Sequence, residues 1–129
     1  MISNSEKDKL CPFCQSLEVV AEHNSVFAIK DNYPVTKGHH LIIPFSHTEN
    51  YFSMTDKERE DATALLKSLK SKLEEEDPTI TGFNIGMNSG ESAGQTVMHS
   101  HIHLIPRRKG DTPNPRGGVR GVIPNKMDY

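Results

Sequence analysis

Apolar residues run along this chain in short blocks separated by turn-forming residues, and the spacing within each block sets the element expected of it. Val26 to Ile29 is an apolar run closed by Asp31-Asn32-Tyr33-Pro34, the composition of a strand followed by a turn. Leu41-Ile42-Ile43-Pro44 forms a second such run. It is continuous rather than alternating, which predicts burial on both faces, and Pro44 closes it because proline has no N–H to give to a ladder. Together the two runs predict an early hairpin. Thr55 and Glu58 have the spacing of a capping box, and Ala62, Leu65, Leu66, Leu69 and Leu73 then recur at helical intervals until Pro78. The pairs Lys57/Asp61 and Lys70/Glu74, four residues apart, are expected on the solvated face of that helix.

Beyond the helix, Thr79 to Asn88 reads as a strand interrupted by Gly82 and Gly86, and Ser89 to Gly94 as a small, polar, glycine-rich loop. Val97 to Ile105 reads as one further strand, whose odd positions hold His99, His101 and His103 and whose even positions include Met98, Ile102 and Leu104. From Arg107 to Tyr129 the chain is rich in Arg, Gly and Pro without apolar periodicity, an extended tail expected to wrap the surface or a partner. The length predicts a single domain over residues 1–129.

Bulk properties narrow the partners. A formal net charge of -2 offers no global attraction to nucleic-acid backbones or anionic membranes, so any phosphate site must be local. No stretch approaches the roughly 18 apolar residues of a membrane span. The start MISNSEKDKL is too polar for a signal-peptide apolar region, and the expected compartment is the cytoplasm. There the only two cysteines, Cys11 and Cys14, point to metal or redox chemistry before a structural disulfide.

Three imidazoles on one strand face bring too many polar nitrogens for packing alone. Metal ligation is one reading, since His-x-His pairs on strands suit zinc. Phosphate chemistry is the other. Gly90 and Gly94 allow close backbone approach, and Ser89, Ser92, Gln95 and Thr96 add neutral donors beside the histidines, the makings of a phosphate cradle.

The segment GQTVMHSHIHLIP resembles the histidine triad family, whose signature is His-φ-His-φ-His-φ-φ with φ apolar. Asp31, Pro34, Gly38, His39 and the IIP of the second strand sit at the spacing of that family, and the resemblance covers Cys11 to Arg108. Ser100 departs from the signature at the first φ position and is expected to weaken packing behind the histidines more than the chemistry. The resemblance implies an α+β fold, an antiparallel sheet with one main amphipathic helix; a homodimer, for which the small predicted core also argues; and double displacement at the α-phosphorus of a purine nucleotide or dinucleotide. By position His101 is then the nucleophile, and His103 and Asn88 hold phosphate oxygens with the Gly94 region and Gln95 nearby. Thr96 contacts the leaving-group oxygen, Asp31 the ribose hydroxyls, Ile29 walls the base, and His39 supports the triad. PRRKGD resembles the dinucleoside polyphosphate hydrolase branch more than the nucleoside phosphoramidase branch.

A lone CxxC holds only half of a tetrahedral zinc site. The resemblance supplies the other half: some members complete it with a histidine after the second strand and with the first triad histidine, here His47 and His99. A structural zinc on Cys11, Cys14, His47 and His99 is therefore expected, against inert or redox-active thiols as the alternative. His23 and His40 read as surface residues. Arg107, Arg108, Lys109, Arg116 and Arg120 either clamp the phosphates of a longer leaving group or solubilise the tail. Two rival functions stand beside the nucleotide enzyme: a metal-dependent hydrolase with all three histidines as ligands, and a noncatalytic nucleotide-binding module.

Overall fold

A computed structural model describes residues 10–129; most of the polar amino-terminal stretch weighed as a signal sequence lies outside the described residues. Strands β1 (Ala21–His23), β2 (Val26–Lys30), β3 (His40–Pro44), β4 (Ile80–Gly86) and β5 (Ile102–Arg108) form one sheet in the order β1-β2-β3-β5-β4. Every pairing is antiparallel. Helix α1 (Asp56–Glu76) crosses one face, giving the expected α+β architecture. No helix among the described residues is long and apolar enough to cross a membrane.

The capping box starts the helix as its spacing predicted: Glu58 N–H donates to Thr55 Oγ1 at 3.1 Å, and Thr55 N–H donates to the Glu58 carboxylate at 2.8 Å. Ala62, Leu65, Leu69 and Leu73 are buried against Val26, Ala28, Ile42, Ile102 and Leu104 of the sheet, with Leu66 only partly covered. Each such leucine contributes about 1.5–3 kcal/mol by leaving water. The opposite face of the sheet carries Phe27, Ile29, Leu41 and Ile43, over which Phe13 and Leu17 pack. That second cover explains why the runs 26–29 and 41–44 are continuous rather than alternating.

Three expectations need correction. Asp61 is not on a solvated face: it is 2% exposed and accepts from Ser25 N–H at 3.2 Å, Ser25 Oγ at 2.5 Å, Asn24 Nδ2 at 3.3 Å and Lys57 Nζ at 2.8 Å. These donors hold its carboxyl well below the usual carboxylate range. They also tie the helix to the β1–β2 turn, where Asn24 has φ +50°. His40 is buried as well, donating from Nδ1 to the Gly38 carbonyl at 2.5 Å. Strand β1, too short and polar to stand out in the sequence, pairs Ala21 with Ala28 and precedes the expected hairpin.

The third correction concerns the histidine strand, which does not begin at Val97. Strand β5 starts at Ile102, and the ladder with β3 pairs Ile42 with Ile102, Leu41 with His103 and His40 with Leu104. Further along β3 stands Pro44, which has no N–H to extend the ladder. The chain before Ile102 turns away there, and Ser100 N–H donates to the Thr48 carbonyl at 2.7 Å. Of the triad only His103 therefore lies in the sheet, and Met98 is 39% exposed rather than packed. Ser100 is buried at the bend, its hydroxyl 3.1 Å from Met54 Sδ.

Candidate functional site

The three triad histidines are held in three different ways. His103 lies in β5 between Leu41 of β3 and Gly86 of β4. A Cβ built on Gly86 meets nothing within 4 Å, so this side of His103 is open. His101 is half-buried, with Nδ1 2.8 Å from the carbonyl of His99. A carbonyl only accepts, so Nδ1 carries the proton and Nε2 keeps its lone pair. The rings of His101 and His103 sit 5.4 Å apart at 63°. His99 is fully buried, and its Nε2–H donates to the Pro44 carbonyl at 2.8 Å.

Behind His103 the hydrogen bonds fix a sequence of tautomers. Val35 N–H donates to His39 Nδ1 at 3.0 Å, which puts the His39 proton on Nε2. That nitrogen lies 2.9 Å from His103 Nδ1 and 3.3 Å from the Asp31 carboxylate. When His39 donates to His103, the His103 proton must sit on Nε2. Burial holds His39 below the ordinary histidine range, partly opposed by the Asp31 carboxylate. Burial also lowers His103, helped by His101 and His39. Both rings thus stay neutral near pH 7. The second Asp31 oxygen accepts from Tyr33 N–H at 2.8 Å, so Asp31 shapes its own turn as well as facing His39.

The glycine-rich loop follows β4 in the chain. Gly90 and Gly94 have φ of +96° and +93°, and a short 3-10 turn, Glu91–Ala93, lies between them. Asn88 is half-buried against this loop, its side-chain nitrogen 3.9 Å from where a Gly94 Cβ would stand, and Thr96 is exposed. Gln95 departs from its expected role as an available donor. It is buried, accepts from Gly90 N–H at 2.8 Å and donates to the carbonyls of Glu49 at 2.6 Å and Val97 at 3.1 Å. Its own N–H donates to the Gly90 carbonyl at 3.1 Å, so Gln95 braces the loop. Ile29 is buried among Phe27, Leu41 and Ile43.

A second cluster adjoins the first. The ligand atoms of Cys11, Cys14, His47 and His99 all lie within 4.8 Å of one another. His99 Nδ1 is 3.3 Å from both sulfurs, and His47 Nδ1 is 3.1 Å from Cys14 Sγ. Two thiols and two imidazoles at these spacings form a donor set of the kind that takes zinc tetrahedrally. The Pro44 carbonyl occupies the other nitrogen of His99, the orienting contact usual behind a metal-bound histidine. Asp31, His39 and His103 also approach one another, but Val35 N–H already uses the Nδ1 lone pair of His39, so its Nε2 serves as a donor. Neither cluster includes His101, and the expectation that all three triad histidines could share one metal is not met among the described residues.

Sequence reasoning missed three neighbours of the site: Val35, Gly86 and Phe13, whose ring lies 5.0 Å from that of His101 and 6.0 Å from that of His99. An apolar residue inside the CxxC was the one available signal for Phe13. The tail cations are mostly engaged within the protein. Arg107 bonds Asp111 and Asn84, and Arg108 bonds Asp77 and the Lys37 carbonyl. Arg116 and Arg120 lie 4.4 and 5.3 Å from the Tyr129 ring.

The fold and sequence have counterparts in known proteins. The family model for the HIT domain matches residues 15–110. "Protein hit" of Bacillus subtilis is 38% identical over 108 residues, 78% of this chain and 74% of that protein. A crystal structure of a histidine triad nucleotide-binding protein from Candida albicans superposes with a TM-score of 0.69 at 30% identity, covering 79% of this chain and 78% of that one. A Zn-bound histidine triad family protein from Mycobacterium smegmatis gives 0.73 at 28% identity, covering 89% and 91%. With a family match over most of its length and a triad whose rings are oriented one by one, this chain belongs to the HIT domain family.

Proposed function

We propose that this single HIT domain is a nucleotide hydrolase or nucleotidyl transferase that attacks the α-phosphate of a dinucleoside polyphosphate or nucleoside phosphoramidate with His101. The observation that carries this reading is the 2.8 Å contact between His101 Nδ1 and the His99 carbonyl. It puts the ring proton on Nδ1 and leaves the Nε2 lone pair available for attack without needing a separate base. In the first step the Nε2–P bond forms as the bond from phosphorus to the leaving group breaks. The ring becomes cationic, and the His99 carbonyl stabilises that charge. In the second step water or another acceptor attacks phosphorus, the N–P bond breaks, and the acceptor's proton leaves to solvent.

The surrounding groups divide the remaining tasks. His103, kept neutral by burial and protonated on Nε2 opposite His39, donates to a phosphoryl oxygen, together with Asn88 in the Gly94 region. Thr96 serves the leaving-group oxygen. Asp31 accepts from the ribose hydroxyls, and Ile29 walls a purine base. A zinc ion on Cys11, Cys14, His47 and His99 would be structural, since four protein ligands leave no open position for substrate. The engaged state of Arg107 and Arg108 favours a supporting over a phosphate-clamping role. Strand β4 at the sheet edge, with its Ile85 52% exposed and Met87 just beyond it 37% exposed, supports a homodimer, and the cytoplasm is the compartment proposed for it.

Rapid mixing with a dinucleoside polyphosphate, an alkaline denaturing quench and mass spectrometry test the reading. One nucleotide attached to His101 is expected. An adduct on another residue, or binding with no adduct and no turnover across dinucleoside polyphosphates and nucleoside phosphoramidates, would overturn it.

A further inference from the structure

His101 stands against two rings whose own supports differ. One is His103, 5.4 Å away, fixed by the sheet and by His39. The other is Phe13, 5.0 Å away at 69°. The Nδ1–H contact to the His99 carbonyl holds the His101 ring at one point, so the neighbouring rings decide how far it turns about that contact. Phe13 is not part of the sheet. It sits in a three-residue 3-10 turn, Pro12–Cys14, between the two cysteines of the Cys11, Cys14, His47, His99 cluster. The same ring touches His99, so it bridges the cluster and the nucleophile.

We propose that Phe13 is a positioning residue that couples the Cys₂His₂ centre to His101. A metal ion in the centre pins the Pro12–Cys14 turn, the turn presses the Phe13 ring against the imidazole, and the imidazole keeps its Nε2 aimed at phosphorus. Loss of the metal frees the turn and lets the His101 ring swing. The phosphoryl-transfer geometry then degrades while the walls that bind the nucleotide stay in place. This rests on His101 being the nucleophile, but its physical core, ring order that depends on the metal, can be read without turnover.

The test compares the zinc-loaded protein, the chelator-treated protein and Phe13→Leu, which keeps an apolar side chain in the turn and all four ligands. Metal content is measured on each, with ¹⁵N and ¹³C resonances of the His101 ring, and kcat and KM on a dinucleoside polyphosphate. Phe13→Leu is expected to retain one zinc per chain, to move or broaden the His101 ring signals, and to lower kcat about tenfold with KM within about threefold. Chelation of the wild type should move the same ring signals and lower kcat comparably. Chelation of Phe13→Leu should add little, because the coupling is already cut. Three results would overturn the coupling: His101 signals indifferent to zinc removal, Phe13→Leu raising KM alone as a mere wall of the nucleotide pocket would, or chelation lowering kcat as much in Phe13→Leu as in the wild type. A wild type that moves its His101 signals with zinc yet forms no nucleotide adduct would leave the coupling standing and sink the nucleophile assignment instead.

Discussion

His39 Nε2 lies 2.9 Å from His103 Nδ1, and because Val35 N–H occupies the other nitrogen of His39, a backbone amide in a turn selects which nitrogen of His103 carries the proton. Removing the imidazole should release that selection. His39→Ala is expected to lower kcat by roughly ten- to a hundredfold and to let His103 populate both tautomers, visible in its ring ¹⁵N shifts. His39→Gln, which can accept from Val35 and donate to His103, should recover part of the loss. An unchanged His103 tautomer in His39→Ala would refute the relay.

His101→Ala should abolish turnover while leaving nucleotide binding largely intact, because the ring supplies the attacking nitrogen and other residues supply the affinity. A loss of more than roughly a thousandfold in kcat is expected, with a smaller loss for His103→Ala. Calorimetric titration with a nonhydrolysable nucleotide checks the binding arm. Turnover surviving in His101→Ala would reject the mechanism.

Gly86→Val probes the open side of His103. The glycine stands opposite His103 in the ladder, and a Cβ there meets nothing within 4 Å, so the fold can accept the change on this edge strand. The added methyls should crowd the phosphate site, raising KM about tenfold while the melting temperature moves by less than about 3 °C. Unaltered kinetics would show that substrate does not pass beside β4.

Stability should fall on mild acidification. Burial lowers His40, despite its bond to the Gly38 carbonyl, as it lowers His39 and His103. As pH drops through about 6.5, histidines of the unfolded chain take up protons before these three do. The unfolded state then binds more protons, so stability is full above about pH 6.5 and is lost as pH falls through the lower folded values. The urea midpoint should decrease steadily from pH 7.5 to pH 5. A flat profile would mean that the three rings protonate as readily in the fold as outside it.

Removal of zinc should destabilise as well as uncouple. The four ligands come from residues 11–14, the segment after β3 and the segment before β5, so one ion would cross-link three separate stretches. Elemental analysis is expected to find one zinc per chain, and Cys14→Ser should lose it and melt lower. Freely titrating thiols in the untreated wild type, with no bound zinc, would refute the site.

Much of this arrangement was already written in the one-dimensional pattern. The capping box at Thr55 and Glu58, the leucines at helical intervals and the doubly buried runs ending at Pro44 depend on local hydrogen bonding and on side-chain period, and both are properties of neighbouring residues. The family and its triad were legible for the same reason, as residues close together in the chain. What the sequence could not supply was the orientation of each ring, because the partners come from distant segments. Pro44 both stops the β3–β5 ladder and receives His99, so the triad that reads as one strand face is divided among a buried cluster, a bend and a strand. Asp61 and His40 read as surface groups and became buried once the β1–β2 turn and the Gly38 carbonyl closed over them. Phe13 reached His101 only when the amino-terminal segment folded across the second face of the sheet. Period and capping are decided within a turn or two of chain, whereas the direction of a lone pair is decided by whichever donor or acceptor tertiary packing brings to the ring's other nitrogen.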